Sequence, residues 1–287
     1  MKYCINFYGK HIDLLNFADE INLNLSKIKK LEDLEEFCKN HSHQRINLCI
    51  NDYEDAINNT YLTFAFDFQK QFEQYNIAIR LPGWDQNFCP TLKEKYPSSK
   101  IFFNTHIIDW DTLIDFLNFG VSDVYITEAM GFELDKIAEI VHAHNAQIRV
   151  FPNVAQAAIS RSPDLLKFWI RPEDIIEYEN YIDVCEFYGD DEKQNVYYDI
   201  YVNDKKWAGN LNEIIIGLDT DINSRTLLPR FAKKRIKCGR QCMKGGKCHI
   251  CDRILELSKT LEKNNLQIRI EEDSDGERSR SEENSNN

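Results

Sequence analysis

Short apolar strands that alternate with amphipathic helices are the feature that most constrains the fold of this 287-residue chain. Segments such as 45–52, 76–83 and 122–129 are rich in β-branched or aromatic residues and end in polar or turn residues. Between such segments, 26–40 and 133–145 carry apolar residues three and four positions apart, which is the spacing of one helix face. Strands that alternate with helices in this way predict a parallel sheet covered by helices.

Eight predicted strands precede about position 190, and eight strand–helix units predict an α/β fold of the (β/α)8 or TIM-like barrel type. Residues 1–190 are short for eight complete units, so we expect abbreviated helices or an irregular barrel. A doubly wound open sheet is the alternative. The glycine-rich G-x-G-x-x-G sequence that marks many dinucleotide-binding sheets does not follow the first predicted strand.

Composition divides the chain into four regions. We expect a barrel over 1–190, an appendage packed on it over 191–229, a basic metal-binding module with a helix over 230–266, and an acidic disordered tail over 267–287. The sequence has neither a signal peptide nor an apolar stretch long enough to span a membrane. These features predict a cytoplasmic protein without a membrane partner.

In barrels of this type the active site lies where the strands end. Polar residues occupy these positions in nearly every predicted unit, and such a ring suits a polar or anionic substrate. The alternative is that the residues simply meet solvent, since loop starts favour Asn and Asp. The candidate substrate-binding residues are Asp52, Arg80, Asn104, His106 and Asn153.

Three charged residues at strand ends are candidate catalytic groups: Glu128, Arg171 and Glu186. Each follows an apolar strand and is therefore expected to be partly buried, where a charge must be paired or used. Carboxylates in this position can act as general acids or bases. A structural Arg–Glu ion pair is the alternative.

A cluster of four cysteines is the strongest local signal, with the spacing Cys238-x3-Cys242-x5-Cys248-x2-Cys251. The chain has nine cysteines, and the other five are scattered singly, which argues against a disulfide framework. Four thiolates can bind a tetrahedral zinc ion or the four corners of a [4Fe–4S] cluster. Zinc is slightly favoured because closed four-cysteine sites are most often structural zinc sites. His249 could replace one cysteine.

The cysteine cluster lies in a basic segment. Residues 230–253 carry a net charge of +8, whereas residues 1–229 carry −16. Segment 230–247 could therefore contact the phosphates of RNA or another nucleic acid, or dock on an acidic protein. Its one aromatic residue, Phe231, gives little support for base stacking. The candidate phosphate-binding residues are Lys233, Lys234, Arg235, Lys237 and Arg240.

Two segments resemble the collagenase-like peptidase family, the U-32 group. "LNFGVSDVYITEAMGFELDKIAEIVHAHNAQIRVFPNV" (117–154) is similar to the middle of the barrel in that family. "YIDVCEFYG" (181–189) is similar to a later strand, with Glu186 at the carboxylate position and Phe187 departing from the pattern. The resemblance covers about residues 110–190 and implies a TIM-like barrel with Glu186 in its site.

Members of that family include iron–sulfur proteins that hydroxylate RNA bases or quinone precursors. The resemblance therefore implies modification of an RNA or a small aromatic substrate by iron–sulfur chemistry. The family spreads its four cysteines along the chain, whereas this chain bunches them after the barrel. The residues leave a second function open, a non-catalytic, zinc-stabilised protein that binds nucleic acid or a protein partner. A peptidase is a third and weaker hypothesis, because neither H-E-x-x-H nor G-x-S-x-G occurs.

Overall fold

The structure is a computed structural model that describes the following residues: 1–8, 12–28, 30–51, 60–83, 88–107, 109–127, 132–155, 167–219, 222–227, 231–238 and five positions between 253 and 260. The acidic tail predicted over 267–287 and most of the cysteine cluster lie outside these residues. No helix in the described part of the chain has the length and apolar character needed to cross a bilayer.

The described strands are short, as the sequence predicts. They are β1 (Lys2–Phe7), β2 (Glu20–Asn24), β3 (Arg45–Cys49), β4 (Ile77–Leu81), β5 (Ile101–Phe103), β6 (His106–Ile107), β7 (Asp123–Ile126), β8 (Phe132–Glu133), β9 (Gln147–Val150), β10 (Val184–Glu186) and β11 (Lys237–Cys238).

The described helices mostly lie between these strands. They are α1 (Ile12–Leu15), α2 (Leu31–Asn40), α3 (Thr60–Gln71), α4 (Phe88–Lys95), α5 (Trp110–Phe119), α6 (Leu134–Ala143), α7 (Asp191–Tyr201), α8 (Leu211–Ile214) and α9 (Phe231–Ile236). Three further segments are 3-10 turns: Leu25–Lys27, Pro172–Tyr178 and Ser224–Thr226.

Local chemistry explains where helix α5 begins and ends. The side chain of Asp109 accepts a hydrogen bond from the backbone N–H of Thr112 at 2.8 Å and so caps the first turn. Gly120 ends the helix in a left-handed conformation with φ 82°. Glycine adopts this conformation without the steric penalty that a Cβ atom would add.

Nine strands form one parallel sheet in the order β5-β4-β3-β2-β1-β10-β9-β7-β6. The register aligns residues of like character, because Asn22 lies opposite Asn47 and Ile21 lies opposite Ile46. Strands β8 and β11 form a separate antiparallel pair. The α/β class with a parallel sheet, predicted from the alternating pattern, is confirmed.

The parallel sheet curls, so that its two ends lie close together. The order begins at β5 and ends at β6, and only Asn104 and Thr105 separate these two strands. A backbone hydrogen bond also joins β5 to β7. The N–H of Ser122, just before β7, donates to the carbonyl of Ile101, the first residue of β5, at 2.8 Å. The sheet is therefore barrel-like, with helices around it.

The two faces of the sheet differ in polarity. Ile21, Leu48, Val124 and Ile148 belong to the main apolar core that the sheet shares with its helices. Alternate residues on the same strands point to the other face. That face carries buried polar and charged groups in place of the branched apolar layers that usually fill such barrels.

Helix α7 is packed against the sheet and completes the last strand–helix unit. The side-chain amide of Gln194 accepts a hydrogen bond from the N–H of Asn6 at 2.7 Å and donates to the carbonyl of Asn6 at 3.0 Å. Tyr198 stacks edge-on against Tyr3 of β1. These contacts pack α7, which lies in the predicted appendage over 191–229, against β1.

Arg235 fastens helix α9 to the body. Its guanidinium donates to the backbone carbonyls of Trp169 and Lys167 and lies 4.7 Å from the centroid of the Trp169 ring. The residue is buried, with 4% of its surface exposed. The prediction that Arg235 contacts phosphate does not fit this position, because the interior contacts withdraw its guanidinium from solvent.

We predict that Arg235→Ala lowers the free energy of unfolding by about 3 kcal/mol, because it removes two buried hydrogen bonds to backbone carbonyls and leaves a cavity beside Trp169. Lys234→Ala, at the exposed neighbouring position, is the matched control and is expected to change stability little. Urea denaturation followed by circular dichroism measures both. Equal stability of the two variants would contradict the conclusion that Arg235 stabilises the packing of α9 on the body.

Candidate functional site at the carboxyl ends of the strands

The interior face of the curled sheet carries a balanced set of six buried charges. Three arginines and three carboxylates, each from a different strand, lie within reach of one another, and none is more than 7% exposed. They are Glu20, Arg45, Arg80, Asp123, Arg149 and Glu186. Buried charges of this kind are tolerated when they are paired and hydrogen-bonded.

The part of this network nearer the amino ends of the strands joins two carboxylates to two arginines. Arg149 donates to both Glu20 and Asp123, the latter at 3.0 Å. Arg45 donates to Asp123 through both of its terminal nitrogens, one of them at 3.0 Å. Burial alone would raise the pKa of Asp123, but Arg45 and Arg149 outweigh it and lower this pKa to about 2.

Glu186 lies at the end of the network nearer the carboxyl ends of the strands. Its carboxylate accepts hydrogen bonds from Tyr125 Oη at 2.6 Å and Arg80 Nη1 at 3.0 Å, and Arg149 Nη1 lies 3.5 Å away. Burial opposes ionisation, but the two arginines hold the pKa of Glu186 below its ordinary value. Burial and the nearby charge of Glu186 raise the pKa of Tyr125 well above its ordinary value, so the phenol stays protonated.

His106 lies beside this group on β6. Its ring centroid is 5.6 Å from that of Tyr125 and 5.9 Å from that of Phe151. Its Nδ1 atom is buried and has no hydrogen-bond partner among the described residues. Burial lowers the pKa of His106, although the charge of Glu186 opposes this shift. The imidazole is therefore neutral near pH 7 and can accept a proton.

Aromatic rings border the same end of the sheet. Phe151 stacks on Tyr125 with centroids 5.3 Å apart and planes 7° apart, and Tyr188 meets Phe151 edge-on at 6.1 Å. Tyr8 directly follows β1, and Tyr188 lies two positions after the end of the neighbouring strand β10; each is 54% exposed. The border of the site therefore offers ring faces to solvent next to buried charges.

The structure brings three of the predicted site residues together: Arg80, His106 and Glu186. Asn104 is exposed and follows β5 at the same end. Asp52 and Glu128 lie outside the described residues, so their predicted roles remain predictions.

Asn153 is buried and supports the site through the backbone. Its side-chain nitrogen donates to the carbonyl of Tyr188 at 2.7 Å, and its side-chain oxygen accepts from the N–H of Tyr188 at 3.0 Å. The amide is therefore engaged with protein. In this structure Asn153 positions the segment that carries Tyr188.

Arg171 forms a buried ion pair with Asp174 that stabilises the fold. Its guanidinium donates to both carboxylate oxygens of Asp174 and to the carbonyls of Ser224 and Leu227. These bonds tie the 3-10 turn after residue 171 to the segment around residue 224. A catalytic role for Arg171 has no support in these contacts, and the structural alternative accounts for its burial.

Cys238 is the one member of the cysteine cluster within the described residues. It is half-buried, carries a free thiol and lies on β11, opposite Phe132 of β8. Strand β8 belongs to the connection between β7 and α6, and so lies at the end where the parallel strands finish. Cys238 is therefore placed on the same end of the sheet as Glu186.

The remaining cysteines of the cluster, Cys242, Cys248 and Cys251, lie outside the described residues, as does Arg240. Within the described residues, no group of three or more His, Cys, Asp or Glu side chains has the arrangement of a metal site. Lys233, Lys234 and Lys237 are exposed, and Lys233 Nζ lies 3.4 Å from a carboxylate oxygen of Glu177.

Sequence reasoning missed five members of the interior group: Glu20, Arg45, Asp123, Tyr125 and Arg149. A signal was present in the strands themselves. "EINLN" (β2) and "RINLC" (β3) alternate polar and apolar residues, and the sequence predicts a strand for the second of them. Because helices cover the outer face of such a sheet, the polar set of each strand must face the interior.

A scan against models of protein families and a search of curated proteins returned no match for this chain. The similarity to the U-32 group therefore rests on the sequence segments quoted above.

We predict that stability falls as the pH drops from about 4 to 2. The pKa of Asp123 is depressed to about 2 in the folded protein, so its contribution is complete above its unfolded value near 4 and is lost as protons bind below it. The loss from this group is about 2 kcal/mol. Urea unfolding at several pH values measures it, and Asp123→Asn is expected to show a flatter dependence. The same slope in both proteins would contradict the prediction.

Proposed function

We propose that the chain is a barrel-like enzyme that binds a small planar, polar substrate at the carboxyl ends of its strands. One observation carries the proposal: Arg80, a ring nitrogen of His106 that has no partner among the described residues, and a border of tyrosine and phenylalanine rings meet at this end. The carboxyl ends of parallel strands are also where barrel enzymes place their active sites.

We infer that the curled sheet is a closed barrel of eight strand positions. Strands β5 and β6 act as one interrupted strand, since β5 pairs with β4 and β6 pairs with β7. With these two merged, the remaining parallel strands follow one another around the sheet in chain order, and β10 pairs with β1. This arrangement supports the (β/α)8 interpretation of the sequence.

The residues at this end have separable roles in the proposed reaction. Glu186 stays ionised and orients Arg80 and Tyr125 through hydrogen bonds. Arg80 retains a buried Nε–H without a partner among the described residues, which suits an anionic or carbonyl oxygen of the substrate. His106 is the candidate proton acceptor, because a neutral imidazole works near pH 7.

The cysteine segment is proposed to bind zinc or a [4Fe–4S] cluster beside this site. The thiol of Cys238 is free and half-buried, which suits a metal ligand, and the other three donors are predicted from sequence alone. A cluster would supply electron transfer when bound, and zinc would stabilise the segment. Modification of an RNA or a small aromatic substrate is what the U-32 resemblance implies for such a protein.

A non-catalytic binding protein is the second candidate function. The exposed Lys233, Lys234 and Lys237 favour it, since they can contact phosphate without competing with interior bonds. Nucleic-acid binding that weakens steeply with salt and is lost in a Lys233→Gln, Lys234→Gln variant would favour this candidate. Arg235 is excluded from that test because it is buried.

We predict that Tyr188→Ala weakens binding of planar ligands about tenfold, since an exposed ring that stacks on a base or similar ring contributes roughly 1–3 kcal/mol. The side chain is exposed, so the fold should survive its removal. Titration of 4-hydroxybenzoate and uridine, followed by NMR, measures the affinity. Val196→Ala, at another exposed apolar position, is the control. Unchanged affinity in Tyr188→Ala, or no binding of either ligand by the wild type, would count against the proposed site.

Metal content of protein purified without oxygen tests the second part of the proposal. We expect one zinc, or about four irons with labile sulfide and a visible absorption band, per chain. Cys238→Ser should lower the content severalfold, whereas Cys38→Ala, which removes a buried thiol outside the cluster, should leave it unchanged. Metal-free wild-type protein, or full loading of Cys238→Ser, would refute the assignment.

A further inference from the structure

A cavity of about 460 Å³ opens at the other end of the sheet, where the amino ends of β4 and β5 meet the last turns of α3 and α4. The residues that line it include Gln69, Lys70, Glu73, Tyr96 and Lys100. Its volume lies in the range of small-molecule sites, roughly 300–1,000 Å³. The proposed active site lies at the opposite ends of the strands, so the cavity is a separate feature.

The cavity is locally positive on an acidic body. Three lysines, Lys70, Lys95 and Lys100, line it together with one carboxylate, Glu73. None of the three forms an ion pair with any described residue. Residues 1–229 carry a net charge of −16, so a cavity lined by three lysines and one carboxylate contrasts with its acidic surroundings. Such a cluster attracts anions.

Two of these lysines are already oriented. Lys100 Nζ donates to Asn76 Oδ1 at 2.9 Å. Lys95 Nζ lies 5.0 Å from the centroid of the Tyr96 ring, at the distance of a cation–π contact. Both ammonium groups keep further N–H donors, because each has three and these contacts use at most one.

The lining also contains two polar residues with unsatisfied buried atoms. Tyr96 is 92% buried, and its hydroxyl has no hydrogen-bond partner among the described residues. Gln69 Oε1 is likewise unpartnered, while its Nε2 donates to the carbonyl of Ile77 at 2.9 Å. A buried polar atom without a partner is unfavourable for the folded state. A ligand hydroxyl that reached these oxygens would remove that cost.

We propose that this cavity binds a small phosphate ester that carries hydroxyl groups, of the size of a sugar phosphate. The lysine ammonium groups bind the phosphate. Gln69 Oε1 accepts a hydrogen bond from a ligand hydroxyl, and the Tyr96 hydroxyl forms a hydrogen bond with another. The ring of Tyr96 stacks on Phe66 with centroids 4.4 Å apart, which fixes the position of its oxygen. This assignment does not depend on the function proposed for the opposite end of the sheet.

Titration of the full chain with ribose 5-phosphate, inorganic phosphate and ribose at low salt tests the proposal by calorimetry and NMR. We expect ribose 5-phosphate to bind more tightly than either fragment. Lys95→Gln and Lys100→Gln should each weaken it about fivefold, and Tyr96→Phe, which keeps the ring, about threefold. Lys205→Gln, in an ion pair with Asp199, is the matched control and should have no effect.

Three outcomes would overturn the proposal. Ribose 5-phosphate could fail to bind the folded wild type. Phosphate alone could bind as tightly, with Tyr96→Phe unchanged, which would reduce the cavity to an unspecific anion site. Binding could also disappear in Tyr188→Ala and persist in Lys100→Gln, which would move the ligand to the opposite end of the sheet. The first two outcomes do not bear on binding of 4-hydroxybenzoate or uridine at the proposed active site, whereas the third would place ribose 5-phosphate there.

Discussion

The balanced set of charges inside the curled sheet is the constraint on which the rest of the structure depends. Arg149 is its centre, since its guanidinium contacts Glu20, Asp123 and Glu186 on three other strands. Removing one partner from such a group leaves an uncompensated buried charge, which typically costs about 3–5 kcal/mol. The strands must therefore keep their register and their curl, because a shift by one residue would turn the charged face towards the apolar helices.

This interior also sets the chemistry of the candidate site. Glu186 accepts hydrogen bonds from Arg80 and Tyr125 and forms an ion pair with Arg149, so it acts as an ionised anchor whose bonds orient Arg80 and Tyr125. His106 differs because one of its nitrogens is buried without a partner among the described residues. Unused hydrogen-bonding capacity at this end thus lies on the imidazole and on Arg80 Nε, whereas the carboxylate is engaged with Arg80 and Tyr125. In the proposed function, this division makes His106 the better candidate for proton transfer.

The two ends of the sheet offer different chemistry. The carboxyl ends combine buried charge with exposed tyrosine rings, and the strand that carries Cys238 is attached there. The amino ends of β4 and β5 border a cavity lined by three lysines that form no ion pair within the described part of the chain. Interior side chains fill the space between the two ends, so ligands at one end would not share contacts with ligands at the other.

The sequence by itself determined the alternation of strands and helices, since periodicities of two and 3.6 residues are local properties of the chain. It also predicted that Arg80, His106 and Glu186 lie at strand ends, because turn and polar residues mark where strands stop. Only the tertiary structure decided which polar residues meet. Glu20 and Arg149 are 129 positions apart, and nothing local links them. The same reason separates Arg235 from its lysine neighbours, because aromatic rings from a distant segment bury its guanidinium while Lys233 and Lys234 remain in solvent.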